Sequence, residues 1–443
     1  MRTRKQSSAH VTVSTVLVEI MTLIKTSLLN GIAVLVKMLT LLGINKVLAI
    51  YVGPVGYAAL GQFQNAIQMI TTFASGAINT GVTKYTAEYH DDEKKQQSVW
   101  RSAGTIAICG SLICSVIILL YSKELAAWIL NDDQFGGVFR WFAGTLVFFT
   151  LNTLLLAILN GKKELLRYVA ANIAGSIFAL VVTTALAMFY GLYGALIALA
   201  IYQSISFFVT LYICSNADWF RFSYLFGRVD KLVAKNFLKY TAMALTSAVC
   251  VPVSHIFVRN YLGSSFGWES AGYWEAMWRL SAAYLMLVTT TLSVYYLPRL
   301  SELNHHDDIK VEILQGYRFI LPCAAICGLI IYLLRDVIIH ILFTSDFLPM
   351  RSLFAWQIVG DTLKIGSWIL AYVMLGKAMF KLFILSEIIS AACFYLFTVV
   401  FTSQLGLEGV SLAHAVNYAI YWLLMTLFVY RALRRMQPEI LAG

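Results

Sequence analysis

Long apolar stretches dominate the chain, and short polar segments separate them. Each stretch holds about 20 residues, which is the helix length needed to cross roughly 30 Å of hydrocarbon. Only 13% of the 443 residues are charged, whereas about 25% is usual in soluble proteins. We therefore predict an all-α polytopic membrane protein. The twelve predicted transmembrane spans are 26–51, 57–82, 102–121, 141–160, 168–190, 192–214, 238–260, 271–297, 315–334, 353–375, 382–404 and 407–430.

The basic residues are distributed unevenly between the loops. Most of the 33 Lys and Arg residues lie in the N-terminal tail, the even-numbered loops and the C-terminal tail, for example Lys94, Lys162, Arg228 and Arg434. Basic residues accumulate in the loops that stay in the cytoplasm. The distribution therefore predicts that both termini are cytoplasmic.

Sequence matches at a nearly constant offset indicate an internal repeat. "GKK" at 161 matches "GKA" at 376, "GLYGALIALAIY" at 191 matches "GLEGVSLAHAVN" at 406, and "VGYAAL" at 55 matches "AGYWEA" at 271. Lys84 pairs with Arg299, and Lys25 with Lys239, at similar offsets. A duplicated six-helix unit has the same orientation in both copies, so the pattern predicts two lobes related by a pseudo-twofold axis along the membrane normal.

The repeat also divides the chain. We expect a cytoplasmic extension at 1–20, a first lobe at 21–214, a basic and aromatic cytoplasmic linker at 215–237, a second lobe at 238–430 and a cytoplasmic tail at 431–443. The extension shows no pattern of a cleavable signal peptide. Because residues 6–20 belong to no predicted span, Met21 is a second candidate for the translation start. Two such lobes commonly enclose a substrate site near the midplane, which indicates a transporter.

Charged residues within the predicted spans are the main candidates for a site, because a charge in hydrocarbon is unfavourable unless it faces water or a partner. Lys37 lies roughly 18 Å along the first helix from Lys25, near the midplane, while Lys46 lies closer to the far end. Lys25 and Lys239 lie at the cytoplasmic mouth. We expect these lysines to line a polar cavity, with snorkelling to the surface as the alternative for Lys25 and Lys46.

The second lobe carries two charged pairs. Glu275 and Arg279 are four residues apart on one helix face of span eight, and Asp361 and Lys364 lie in span ten. One interpretation is structural, with Arg279 paired to Asp361 or Glu275. The other is that these groups line the cavity, where Asp361 could exchange partners as its protonation changes.

The sign of these charges bears on the substrate. The deeper set contains four cations, Lys37, Lys46, Arg279 and Lys364, against Glu275, Asp361 and Glu387. A cationic interior suits an anion, especially a phosphate. A site for cationic drugs should instead be dominated by carboxylates.

Other polar residues give weaker signals. Gln64 and Gln68 are one turn apart on span two and could contact sugar hydroxyls or bond a neighbouring helix. His255 and His414 are lone histidines for which packing is the more frequent role. We find no motif for nucleotide or nucleic-acid binding and no metal-ligand spacing, and no loop is long enough for a catalytic domain. We therefore expect no metal and no cofactor.

Several longer strings resemble one family. The segments "KTSLLNGIAVLVK" (25–37), "GVTKYTAEYHDD" (81–92), "SVYYLPRLSEL" (293–303) and "LRDVIIHILFTSDFLPMRSLFAWQIVGDTLKIG" (334–366) are similar to the Wzx-type flippases of Gram-negative bacteria, the group that contains the lipid III and O-antigen unit flippases. The similarity runs from about Met21 to about Arg435. The resemblance implies the MOP superfamily, to which MATE transporters also belong, and alternating access between two lobes.

The resemblance also implies a substrate and a compartment. It implies an oligosaccharide on undecaprenyl pyrophosphate, moved across the bacterial inner membrane for synthesis of enterobacterial common antigen or O-antigen, with counter-flow of protons or monovalent cations. Membrane lipids, a polysaccharide polymerase and a chain-length regulator are the implied partners. The expected headgroup contacts are the cationic positions Lys25, Lys37, Lys46, Lys239, Arg279 and Lys364. The alternatives are a cation-coupled multidrug exporter of the same superfamily and a membrane polysaccharide polymerase or ligase.

Overall fold

The computed structural model describes residues 31–292, 296, 299–300, 303, 305–377 and 379–434. Helices make up nearly all of this part of the chain, and it contains no β-strand. The extension at 1–20, Lys25 and residues 435–443 lie outside the described residues. The backbone at Lys239 is helical, while its side chain is outside the described part.

The described residues form fourteen helices, which we number in chain order. The first seven are α1 Gly31–Tyr51, α2 Gly53–Ala74, α3 Asn79–Glu88, α4 Glu93–Leu120, α5 Ser122–Leu130, α6 Gly136–Gly161 and α7 Leu165–Ser215. The others are α8 Lys231–Phe266, α9 Trp268–Thr291, α10 His306–Leu333, α11 Arg335–Leu342, α12 Phe354–Gly376, α13 Phe380–Leu405 and α14 Glu408–Arg434. Short 3₁₀ segments, including Ser345–Leu353 before α12, connect some of them.

Eight of the helices in this part are long and apolar enough to cross a membrane. They correspond to twelve spans once α7 is counted twice and α2, α8 and α9 are added. These last three helices are less apolar because they carry buried polar side chains that face one another. The prediction of an all-α membrane protein with twelve spans is confirmed, and α3, α5 and α11 are short connecting helices.

The break in α7 shows why it counts as two spans. A straight helix of 51 residues would measure about 75 Å, more than twice the hydrocarbon thickness. Gly191 interrupts it with φ 55° and ψ −134°, a left-handed conformation that glycine adopts readily. Gly406, at the matching position of the repeat, has φ 63° and ψ −145° between α13 and α14.

A second pair of matching positions has the same geometry. Glu164 precedes α7 with φ −77° and ψ 65°, and Met379 precedes α13 with φ −80° and ψ 55°. Each N–H donates to a carbonyl five residues earlier, over 3.0 Å for Glu164 and 2.8 Å for Met379. The sequence repeat is therefore also a repeat of turn geometry.

The two halves contact each other where α2 packs against α8 and α9. Its best-packed part lies toward the end of the bundle that contains residues 51–53, which we call the far end, and α8 also bonds to the opposite end of α2 through Thr241, which donates to the carbonyl oxygen of Gly76. Gly272 allows the helices to approach, because a Cβ there would lie 1.8 Å from the carbonyl oxygen of Pro54. Nearby, the ring of Tyr57 on α2 packs edge-on against Phe347, with centroids 5.0 Å apart. The far end is thus closed by both apolar and polar contacts.

Candidate functional site

A buried arginine lies at the centre of the contact between the halves. Arg259 on α8 is only 1% exposed, so its charge needs partners in the interior. Its Nε and Nη2 atoms lie 2.9 and 2.8 Å from Oε2 of Glu275 on α9. Its guanidinium also lies over the ring of Trp274, 5.4 Å from the centroid. A hydrogen bond and a second close ion-pair contact to one carboxylate oxygen, together with an aromatic face, hold this cation in place.

The same carboxylate binds a second arginine. Nε of Arg279 donates to Oε1 of Glu275 over 2.9 Å, one helical turn away on α9. The Arg279 side chain is 13% exposed, against 2% for Arg259. Two arginines share one carboxylate, so the cluster has an excess of one positive charge. Arg279 is the more exposed of the two arginines.

Glutamines of the first half complete the cluster from α2. Oε1 of Gln62 accepts a hydrogen bond from Nη1 of Arg259 over 2.9 Å, and its Nε2 donates to Asn260 over 2.6 Å. Oε1 of Gln64 accepts from Nη2 of Arg279 over 2.8 Å. The α2 helix can come this close because residue 61 is glycine, where a Cβ would lie 2.4 Å from Oε2 of Glu275. We call Gln62, Gln64, Arg259, Glu275 and Arg279 the inter-half cluster.

Asp361 belongs to a separate cluster within the second half. Its carboxylate is 2% exposed and accepts hydrogen bonds from Ser281 over 2.6 Å, from His414 over 3.0 Å and from Gln357 over 3.4 Å. The hydroxyl of Tyr284 also donates to it. Of the two predicted partners of Arg279, the structure shows Glu275. Asp361 is instead bonded to neutral donors and to His414.

Lys364 faces a cavity close to Asp361. Its ammonium lies over three rings, at 4.3 Å from the centroid of Trp278, 5.0 Å from Trp368 and 5.3 Å from Tyr418. The cavity has a volume of about 150 Å³, and all its lining residues belong to the second half. Glu387, whose Oε1 accepts from Tyr421 over 2.8 Å, also lines it. The ammonium is therefore stabilised by aromatic faces.

Comparison with known proteins shows the family of this chain. Residues 7–304 match the model of the family described as polysaccharide biosynthesis protein. The chain belongs to this polysaccharide biosynthesis family. Lipid III flippases of Escherichia coli (strain K12) and Shigella flexneri are each 30% identical to it over 402 residues, which are 91% of this chain and 97% of theirs.

Solved structures similar to this family member come from transporters. An inward-facing multidrug resistance MATE family transporter of the MOP superfamily aligns with a TM-score of 0.76 at 14% identity, over 91% of this chain and 96% of that one. A mutant of a Vibrio cholerae MATE transporter aligns with a TM-score of 0.72 at 14% identity, over 93% and 98%. At this identity the likeness shows the fold, which is that of the MOP superfamily.

The remaining predicted positions in this polysaccharide biosynthesis protein lie in different surroundings. Nζ of Lys46 donates to the carbonyl oxygens of Phe343 over 2.6 Å and His340 over 3.3 Å, so it caps the C-terminus of α11 in the other half. Lys37 is exposed on α1, and Gln68 is exposed on α2 one turn beyond Gln64. Lys46 thus joins the halves through backbone carbonyls.

Arg259 and Gln62 are the members of the cluster that sequence reasoning missed. Arg259 lies near the boundary of span seven, where a long basic side chain can reach water, and nothing in the sequence indicates its burial.

Proposed function

We propose that this protein is a flippase that moves a lipid-linked oligosaccharide across a membrane. The observation that carries the proposal is the alignment with lipid III flippases, which extends over 97% of their length at 30% identity. The shared fold with MOP superfamily transporters supports a transport mechanism rather than catalysis. The chain is a multi-pass membrane protein whose long helices leave no separate catalytic domain in the described part.

The proposed substrate is an oligosaccharide on undecaprenyl pyrophosphate, moved from the cytoplasmic to the periplasmic leaflet of the bacterial inner membrane. We place both termini in the cytoplasm, so that the far end faces the periplasm. Residues 21–214 and 238–430 form the two moving lobes, and 215–237 links them on the cytoplasmic side. The matching turns at Gly191 and Gly406 support this division.

Positive charge is proposed to guide the pyrophosphate. Lys25 and Lys239 meet it at the cytoplasmic mouth, and Lys37, Arg279 and Lys364 meet it deeper in the membrane. Two observations support this path: Arg279 retains exposed surface, and the inter-half cluster has one more cation than anions. Lys46 contributes to the field, although its ammonium is already bonded to two carbonyl oxygens.

Amide groups are proposed to contact the sugars. Gln64 and Gln68 are both exposed on one face of α2, and Gln64 lies beside Arg279. A glycan attached to a pyrophosphate at Arg279 would extend along this face.

Coupling is proposed to involve Asp361 and protons or monovalent cations. Its carboxylate accepts from four donors on α9, α12 and α14. Protonation would leave at least one of these donors without an acceptor, which is unfavourable in the interior. Uptake of a proton would therefore shift the packing of these helices. A polysaccharide polymerase and a chain-length regulator are the proposed neighbours of the protein in its pathway.

Complementation of a strain that lacks its lipid III flippase tests the proposal. Expression of this chain should restore glycan export. The matched pair of variants is Arg279→Ala, expected to abolish export, and Arg299→Ala, expected to retain it because Arg299 is a half-exposed arginine that lies outside the inter-half cluster, 3.6 Å from Glu312. Resistance to cationic dyes without restored export would instead indicate a multidrug exporter.

A further inference from the structure

A second, larger pocket opens at the far end of the second half. It lies where the end of α10 and the start of α11 meet the 3₁₀ segment Ser345–Leu353 and the starts of α12 and α14. Its volume is about 450 Å³, within the range of small-molecule sites. It shares no lining residue with the cavity at Lys364. We call it the distal pocket.

Two arginines in its wall are held in fixed orientations. Nη1 of Arg335 donates to the carbonyl oxygen of Tyr332 over 2.8 Å, and its guanidinium lies 4.4 Å from the centroid of the Tyr332 ring. Arg351 forms two bonds to the carboxylate of Asp336, of 2.8 and 2.9 Å. Fixed side chains lose little conformational freedom when a ligand binds.

The segment beneath the pocket is anchored in the core. Met350, Leu353 and Phe354 are all fully buried. They pack in the same apolar cluster as Tyr57 of the first half. The wall is therefore attached to the rigid part of the far end, and the distal pocket is preorganised.

The charge of the pocket is nearly balanced. Asp336 neutralises Arg351, and the pocket lining also includes the oppositely charged pair of residues Arg335 and Glu408. Glu408 forms no ion pair within the part of the chain that the structure describes. A phosphate would gain little from such a site, since attraction to Arg335 is offset by repulsion from Glu408.

The remaining groups match the surface of a sugar. Guanidinium N–H groups donate, the Glu408 carboxylate accepts, and the hydroxyl of Ser352 does both. Trp356, 42% exposed, and Tyr332 provide aromatic faces on which the apolar face of a sugar ring can pack. Sugar hydroxyls act as donors and acceptors, so an orienting set of both kinds beside an aromatic face suits them.

We propose that the distal pocket binds sugar residues of the transported glycan at the far end of the protein. This inference rests on the proposed function for the identity of the glycan. The pocket lies on the side opposite the predicted cytoplasmic mouth, so it would hold the glycan after it has crossed. Recognition there is through the sugar and is independent of the pyrophosphate.

Binding of a lipid-free glycan to the full-length protein in nanodiscs tests the inference. The probe is the oligosaccharide released by mild acid from the lipid-linked precursor of the host cell, measured by saturation-transfer NMR and competition. Trp356→Ala and Arg335→Ala should each weaken binding at least about tenfold, a loss that corresponds to about 1.4 kcal/mol. Trp356→Phe should retain most of it, because the aromatic face remains.

The repeat provides a matched control. Trp141 lies 215 residues before Trp356, at the equivalent position of the first half, and is also exposed. Trp141→Ala should leave glycan binding unchanged. Equal losses in Trp141→Ala and Trp356→Ala would show that both are only interfacial anchors, and would overturn the inference. Absence of saturable binding to the wild-type protein, or full competition by inorganic pyrophosphate, would also overturn it.

Flipping measured on the same preparations separates this inference from the proposed function. If the protein binds the free glycan through Trp356 but fails to flip the lipid-linked form, the sugar site is supported and the flippase proposal is contradicted. If the protein flips the lipid-linked form normally and neither pocket variant changes glycan binding, the flippase proposal is supported and the sugar site is contradicted.

Discussion

The inter-half cluster and the cluster around Asp361 both bury charges in the membrane, yet they differ in which helices they join. In the first cluster, Glu275 binds Arg259 and Arg279 within the second half. Arg259 also donates to Gln62, and Arg279 to Gln64, on α2 of the first half. Within the described part of the chain, the hydrogen bonds of Asp361 all go to residues of α9, α12 and α14. Separation of the halves at the far end must therefore break the first cluster, while the second can persist. The inter-half cluster can therefore stabilise one conformation over another, whereas the cluster around Asp361 stabilises the second half in either conformation.

The largest effect is expected for Arg259→Ala. This variant removes the donor to Oε1 of Gln62 and leaves Glu275 paired only with the partly exposed Arg279. Removal of one partner of a buried ion pair costs at most about 3–5 kcal/mol, the value for a charge left without compensation. The midpoint of thermal unfolding in detergent should fall well below that of the wild type. Arg259→Lys keeps the positive charge but lacks the planar guanidinium group, so its unfolding midpoint should lie between those of the wild type and Arg259→Ala. An unchanged midpoint for Arg259→Ala would contradict the central position of this residue.

Arg279→Ala is expected to affect transport more than stability. Arg279 is partly exposed, and Arg259 still binds Glu275 in its absence. Flipping of a fluorescent lipid-linked oligosaccharide in proteoliposomes should fall at least about tenfold, or roughly 1.4 kcal/mol. The thermal midpoint should change little, as in the surface control Arg299→Ala. A large stability loss with normal flipping of the residual protein would show that Arg279 is purely structural.

Asp361→Asn addresses the pH response of the second cluster. The amide retains the shape of the carboxylate but cannot exchange a proton near neutral pH. If Asp361 is the exchanging group, the variant should flip at a rate that is nearly constant between pH 5 and 8, while the wild-type rate changes across this range. Rates are to be measured in proteoliposomes with the internal and external pH matched. A wild-type pH profile in Asp361→Asn would leave only a static role for this residue.

Lys364→Met separates charge from packing at the cavity. Methionine fills a similar volume between Trp278 and Trp368 without an ammonium, and exchange of a buried charge for an apolar side chain is often neutral or stabilising. The thermal midpoint should stay the same or rise, whereas flipping should fall several-fold because a cation on the proposed path is lost. A variant that is both stable and fully active would remove Lys364 from the path.

Lys46→Ala is expected to have the smallest effect. It removes two hydrogen bonds to the last carbonyl groups of α11, and a cation at a helix C-terminus contributes about 0.3–1 kcal/mol. The unfolding midpoint should fall slightly, and Lys37→Ala, which alters an exposed lysine of the same helix, should leave it unchanged. Identical midpoints for the two variants would show that the contact to Phe343 adds no stability.

The fold was more predictable than the site. Hydropathy located the spans because each apolar stretch must match the same membrane thickness, and the repeat located Gly191 and Gly406 as equivalent turns. The spacing on one helix made Glu275 one of two predicted partners of Arg279, and the structure shows Glu275. The partners from other helices did not follow, since Gln62 and Arg259 are 197 residues apart and only the packing of α2 on α8 brings them together.

The same limit applies to the second cluster. Asp361 and Lys364 were predicted as site residues from their position within span ten, but their surroundings depend on residues of other helices. Tyr284 and His414 became hydrogen-bond partners of Asp361 through tertiary packing. The aromatic partners of Lys364 could not be predicted either, because aromatic residues are frequent along all the spans. Only the packing of the helices brings Trp278, Trp368 and Tyr418 to Lys364.

Gly61 turns the closed far end into something that can be manipulated. Its absent side chain leaves the space in which the Glu275 carboxylate and Nε of Arg259 lie, 2.4 and 2.7 Å from where a Cβ would be. One methyl group at this position would displace the Arg259–Glu275 ion pair from its place against α2 and so weaken the contact between the halves at the far end. We expect Gly61→Ala to favour a conformation in which the far end is open.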